Sequence, residues 1–88
     1  MVQEISVTIY GLESILYEGK VQAITSKNIK GTFDILPTHS NFISLIEDSL
    51  ILHERAGTKK EFKMKNGVLE VINNHVSVFL DLEGLKES

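Results

Sequence analysis

From Glu4 to Tyr10 apolar and polar positions alternate, with Ile5, Val7 and Ile9 on one side and Glu4, Ser6 and Thr8 on the other. That is the period of a half-buried strand. Gly11-Leu12-Glu13-Ser14 breaks the pattern, Ile15 to Tyr17 resumes it, and Gly19 inside a short extended run predicts a bulge or bend. Val21, Ala23 and Thr25 form the inward side of a third strand, and Ser26 to Gly31 is expected to be a polar loop leading out of it. Phe33, Ile35 and Leu36 follow, closed by Pro37, the only proline of the chain. Proline fixes its own φ and drives the residue before it into an extended conformation, so the segment predicts a strand running into a rigid turn.

Asn41 to Ile46 contains Phe42, Ile43, Leu45 and Ile46, a pattern that predicts cover on both faces. Glu47-Asp48 is expected to turn the chain, after which Leu50 and Leu52 face inward. Arg55-Ala56-Gly57-Thr58 suits a hairpin loop, and Phe62 and Met64 then alternate with Glu61, Lys63 and Lys65. Asn66-Gly67 is the strongest hairpin signal, because both residues tolerate the positive φ of a type I′ turn. Val68 to Val71 and Val76 to Leu80 complete the series, separated by Asn73-Asn74, another pair that accepts left-handed backbone. No 3.6-residue apolar period persists long enough for a substantial helix; only the short tail, 81–88, could turn helical, and it is too short to be stable alone. The prediction is an all-β chain, a flattened β-sandwich or barrel of about 8–10 short strands. It forms a single domain over 1–88, with Leu50, Leu52, Val71 and Val78 buried between two sheets.

Charge and composition narrow the partners. A net charge of −3 without a clustered basic surface gives no footprint for nucleic acid. Without cysteine there is neither a disulfide framework nor a thiolate site, and the opening Met-Val-Gln-Glu lacks the features of a secretory signal, so a cytoplasmic setting fits. No apolar run approaches the roughly 20 residues that span a bilayer, so direct membrane insertion is not expected. Lys59, Lys60, Lys63 and Lys65 form the one basic cluster; alternation with Glu61 reads as a solvated strand face or as edge protection, and no glycine-rich cradle accompanies it as a phosphate site would require.

The candidate chemistry is sparse. Asp34, His39 and Ser40 are triad residue types, but no nucleophile turn surrounds Ser40. His39, His53 and His75 lack metal-ligand spacing, and there is no phosphate-binding loop with its lysine. No catalytic residue, metal, nucleotide or other cofactor is therefore expected. For His39 two readings stay open, a turn residue satisfying a local carbonyl or a contact at a subunit interface.

Gly31-x-Phe33-x-Ile35-Leu36-Pro37-x-His39 closely resembles the signature of the epsilon subunit of rotary F-type ATP synthases, Gly-x-Phe-Gly-Ile-Leu-Pro-x-His-Ala-Pro. Leu16-Tyr17-Glu18-Gly19-Lys20-Val21, Ser49-Leu50-Ile51-Leu52, Asn66-Gly67-Val68-Leu69-Glu70-Val71 and Asn74 to Leu80 resemble further blocks of that family, in its order. The resemblance implies the same sandwich and a non-catalytic central-stalk subunit of a proton-translocating ATP synthase complex, peripheral at the cytoplasmic face of the energy-transducing membrane. Its partners would be the gamma subunit and the c-ring, and its work the coupling of ion translocation to ATP synthesis. The resemblance places Asn28, Ile29, Lys30, Gly31 and Thr32 toward the c-ring and His39, Ser40, Asn41, Phe42 and Ile43 toward gamma. It further implies that the family's C-terminal inhibitory helical hairpin, the region through which some members bind ATP, has no counterpart in 81–88. Three departures bear on the docking loop and its neighbours: Asp34 stands where the family has Gly, Ser40-Asn41 where it has Ala-Pro, and Asn66 where it has Gly. An Asp is tolerated at position 34 only if that backbone does not need positive φ. From another class, a free-standing β-sandwich module binding a peptide or carbohydrate is the alternative, though the six aromatic residues fall mostly at apparent core positions.

Overall fold

The computed structural model describes residues 3–80, whose alternating segments hydrogen-bond into one seven-stranded sheet. The strands are β1 (Ile5–Tyr10), β2 (Ile15–Val21), β3 (Ala23–Asn28), β4 (Gly31–Ile35), β5 (Phe42–His53), β6 (Lys59–Ile72) and β7 (His75–Leu80). Their order is β2-β1-β7-β6-β5-β3-β4, antiparallel throughout except for the parallel β1–β7 pair. β1 and β3 stand four places apart in that order, roughly 19 Å along a flat sheet. Yet Ile5, Val7 and Ile9 of β1 share one buried cluster with Ile24 of β3, Ile35 of β4 and Leu50 and Leu52 of β5. The sheet therefore curls over itself into two layers around a single core. Tyr17 on β2 meets Phe62 on β6 edge to face at 6.2 Å, and Arg55 Nε lies 2.8 Å from Glu4 Oε2, contacts between segments that are not neighbours in the strand order.

Leu50, Leu52, Val71 and Val78 are buried, as their alternation predicts. Asn73 and Asn74 make the expected turn with φ of 48° and 64°, and Ala56 and Gly57 turn the chain between β5 and β6 with φ of 62° and 79°. The strands are fewer and longer than expected because two predicted turns lie inside strands. At Glu47-Asp48 the ladder slips: Glu47 faces Asn66, Asp48 faces Met64, and Lys65 is the extra residue of a bulge. Asp48 takes φ 72° there, and the bulge bends β5 without ending it.

Asn66-Gly67 is likewise mid-strand, and neither residue has positive φ. Gly67 is needed for close approach: a Cβ there would lie 3.0 Å from the Phe79 carbonyl oxygen and 3.4 Å from Ile46 Cγ1 and Met64 Sδ. Gly19 marks no bulge, since it pairs in register with Val7 and the irregularity falls between Ile9 and Tyr10. The stretch Asn41 to Ile46 is covered on one face only: Ile46 is buried, whereas Ile43 and Leu45 are 66% and 74% exposed. The helical turn considered for 81–88 lies outside the described residues.

Candidate docking surface

Residues 28–32 form the tip of the β3–β4 hairpin. Asn28 builds it from within: its Oδ1 accepts the Lys30 N–H at 2.9 Å, while its Nδ2 donates to Ser44 Oγ on β5 at 3.2 Å. Gly31 takes φ 123° to re-enter the strand, a conformation closed to most side-chain-bearing residues. Ile29 is thereby held at the apex, 95% exposed.

The loop after β4 has the pattern of a type II turn. Pro37 occupies its second position, Thr38 its third with φ 64°, and His39 N–H closes it on the Leu36 carbonyl at 3.1 Å. Beyond the turn, His39 Nδ1 lies 2.7 Å from the Ser40 carbonyl and donates to it, so one of the two readings of this histidine, the local one, describes its ring geometry. The rest of the imidazole lies edge-on to Phe42 at 5.6 Å, and Phe42 in turn meets Phe33 of β4 at 5.7 Å. Phe42 is the hinge between the two predicted contact segments. On one side Lys30, Gly31, Thr32, His39 and Phe42 line a shallow depression of about 260 Å³. On the other, Asn28, Ile29, Lys30, Phe42 and Ile43 line a groove of about 530 Å³, together with Leu45. Asn41 points elsewhere, its Oδ1 accepting the Asn73 N–H at 2.9 Å, and of Ser40 the carbonyl bonded by His39 is the engaged group.

Asp34 sits in regular register opposite Thr25 and needs no positive φ, which is why the change from Gly is accommodated. Thr25 Oγ1 donates to Asp34 Oδ1 at 2.6 Å. With its proton committed there, the same hydroxyl accepts from His53 Nε2–H at 2.8 Å. Asp34 and His39 thus engage different partners. Lys27 Nζ bonds Asp48 Oδ2 at 2.9 Å, and that carboxylate holds the lysine above its ordinary range. Among the described residues no three His, Asp or Glu side chains gather as a metal site requires.

One surface was not legible beforehand. Leu45, Val68, Phe79, Tyr10 and Ile15 are paired residue to residue across β5, β6, β7, β1 and β2, so their side chains share the outer face as a row. Tyr10 and Phe79 stack at 4.8 Å with rings 8° from parallel. The odd-numbered positions of β5 carried the signal, but Phe42 and Ile46 on the even face masked it. The lysines fall where the edge reading puts them: Lys59 to Met64 pair with β5 on one side, Lys65 is the bulge residue, and on the other side no ladder forms among the described residues. Lys63 is bonded to Glu61 at 3.2 Å and Lys60 lies over the Tyr17 ring at 5.6 Å.

Residues 4–82 match the family model described as ATP synthase, Delta/Epsilon chain, beta-sandwich domain. A protein named ATP synthase epsilon chain from Leptospira borgpetersenii is 33% identical over 85 residues, covering 96% of this chain and 66% of the relative. A protein of the same name from Helicobacter acinonychis is 30% identical over 69 residues, covering 78% and 56%. Among solved structures, a chain of the Euglena gracilis mitochondrial ATP synthase, in an OSCP/F1/c-ring assembly, superimposes with a TM-score of 0.81 at 19% identity, over 96% of this chain and 60% of that one. A chain of the Tetrahymena thermophila mitochondrial ATP synthase central stalk and c-ring gives 0.71 at 16% identity, over 89% and 63%. The likeness to solved structures concerns the fold, and this chain spans less than two thirds of each relative.

Proposed function

The chain belongs to the ATP synthase delta/epsilon β-sandwich family, and on that premise we propose that it is an epsilon-type central-stalk subunit. In this reading it performs no chemistry of its own. It links gamma to the c-ring of a proton-translocating ATP synthase at the cytoplasmic face of the membrane, so that the two turn together. Asn28 to Thr32 meet the polar loops of the c-ring, and His39 to Ile43, continued by the outer row through Leu45, meet gamma.

The observation that carries this reading is the convergence at Phe42. Two segments separated in sequence by residues 33–38 are held against one another by the Phe33–Phe42–His39 ring contacts, leaving Ile29 and Ile43 exposed on either side of one groove. A preformed apolar surface lowers the ordering cost of association.

The test is co-purification of this chain with gamma and with detergent-solubilised c-ring from the same organism. Ile29→Asp should weaken c-ring association and His39→Asp gamma association, each about tenfold or more, a loss of about 1.4 kcal/mol. Neither should move the melting temperature appreciably, because both side chains lie outside the buried cluster. Failure of the unaltered chain to join either partner would refute the assignment.

A further inference from the structure

We propose that Asn74, which lies outside both contact segments, is the positioning residue that shapes the docking loop; the proposal rests on the reading of residues 39–43 as a contact surface. Thr38 has φ 64°, an outlying conformation for a β-branched residue, and such strain persists only where the surroundings over-determine it. Within the loop, the bond from His39 N–H to the Leu36 carbonyl closes the turn and does not engage the Thr38 N–H. That N–H is taken by Asn74 Oδ1 at 2.9 Å.

The other end of the same amide is also committed: Asn74 Nδ2 donates to the Glu4 carbonyl at 2.8 Å, and Ser6 N–H donates to the Asn74 carbonyl at 3.3 Å. One side chain therefore anchors the loop to Glu4, the residue that precedes β1. The clamp is reciprocal, since Asn41 from the loop accepts the N–H of Asn73, the neighbour of Asn74 in the β6–β7 turn. Two turns that each require left-handed residues thus hold one another. The turn at 73–74 is closed by the Ile72–His75 pair of a sheet whose core is buried, so it is the rigid member, and the strained loop follows it. His39, next to Thr38, is presented in the orientation this bond dictates.

Asn74→Gly isolates the role, because glycine adopts φ 64° freely and keeps the turn while removing both side-chain bonds. Asn74→Asp restores an acceptor for the Thr38 N–H without the donor to Glu4. The readouts are amide hydrogen exchange, thermal unfolding and affinity for purified gamma. Asn74→Gly should speed exchange at Thr38 by at least about tenfold and leave β1, β6 and β7 protected. It should also weaken gamma binding by at least about tenfold, and Asn74→Asp, which keeps the acceptor but sets a carboxylate oxygen against the Glu4 carbonyl, should recover part of both losses. Unchanged Thr38 exchange in Asn74→Gly, exchange that rises evenly across the sheet, or a chain that no longer folds would each overturn the proposal. If the unaltered chain binds no gamma, the assignment of function falls instead, while Thr38 exchange still decides whether Asn74 sets the loop.

Discussion

The Tyr17 hydroxyl donates to Glu54 Oε2 across 2.8 Å, joining β2 to the segment that follows β5, 37 residues away. Partial burial, the bond to Glu54 and the carboxylate's negative charge together push the phenol up to about 12. All three favour the protonated phenol in the folded state. A group whose folded pKa is raised contributes stability that is complete below its unfolded value, near 10, and lost as the pH rises through the folded one. The urea midpoint should therefore fall between about pH 10 and 12, and Tyr17→Phe should remove that part of the decline. An equal decline in Tyr17→Phe would place the alkaline sensitivity elsewhere.

Leu50 and Leu52 lie at the centre of the core, each with no exposed surface. Truncation of either to Ala leaves a cavity that a two-layer sheet cannot close, at about 2–4 kcal/mol. That is a large share of the ~5–15 kcal/mol of a small domain. Equilibrium denaturation at neutral pH measures it directly, and a loss below about 1 kcal/mol would show that the layers are less tightly packed than the contacts imply.

Gly67→Ala tests whether the glycine serves a turn or a contact. The added methyl would stand 3.0 Å from the Phe79 carbonyl oxygen, a backbone atom that cannot swing aside. Destabilisation of about 1–3 kcal/mol is expected, the usual cost of overpacking. A stabilised Ala variant, which ordinary strand propensity would favour, would mean that β6 and β7 separate easily.

Ala56→Gly should act in the opposite sense. Ala56 is exposed, with φ 62°, in the turn between β5 and β6. A left-handed conformation costs an L-residue roughly 1–2 kcal/mol, which glycine avoids at a somewhat smaller entropic cost. The expected gain is about 0.5–1 kcal/mol in thermal or chemical unfolding, without a change in gamma binding.

Much of this protein is legible from its residues in order. Alternation at Ile5, Val7 and Ile9, at Leu50 and Leu52, and at Val76 and Val78 places those residues inside because a strand has only two faces and water selects between them. Asn73-Asn74 and Ala56-Gly57 mark true turns because the backbone there must be left-handed, a local demand that local chemistry meets. The proposed contact segments come from a resemblance, not from periodicity, which has no access to partners.

What tertiary structure alone decided is register. Asn66-Gly67 has the composition of a hairpin, yet it runs straight because a Gly opposite Ile46 lets β6 approach β7 more closely than any side chain would allow. Glu47-Asp48 bends a strand that propensity would have ended, since the ladder on both sides of the bulge is worth more than the one pairing it loses. Leu45, Val68, Phe79, Tyr10 and Ile15 become one row on the outer face only when five strands are aligned, and Thr38 can hold its strained φ only because Asn74, 36 residues away, comes within hydrogen-bond reach. Local sequence determines which way a side chain faces along its own strand; which residue stands beside it on the next strand depends on how the whole sheet closes around its core.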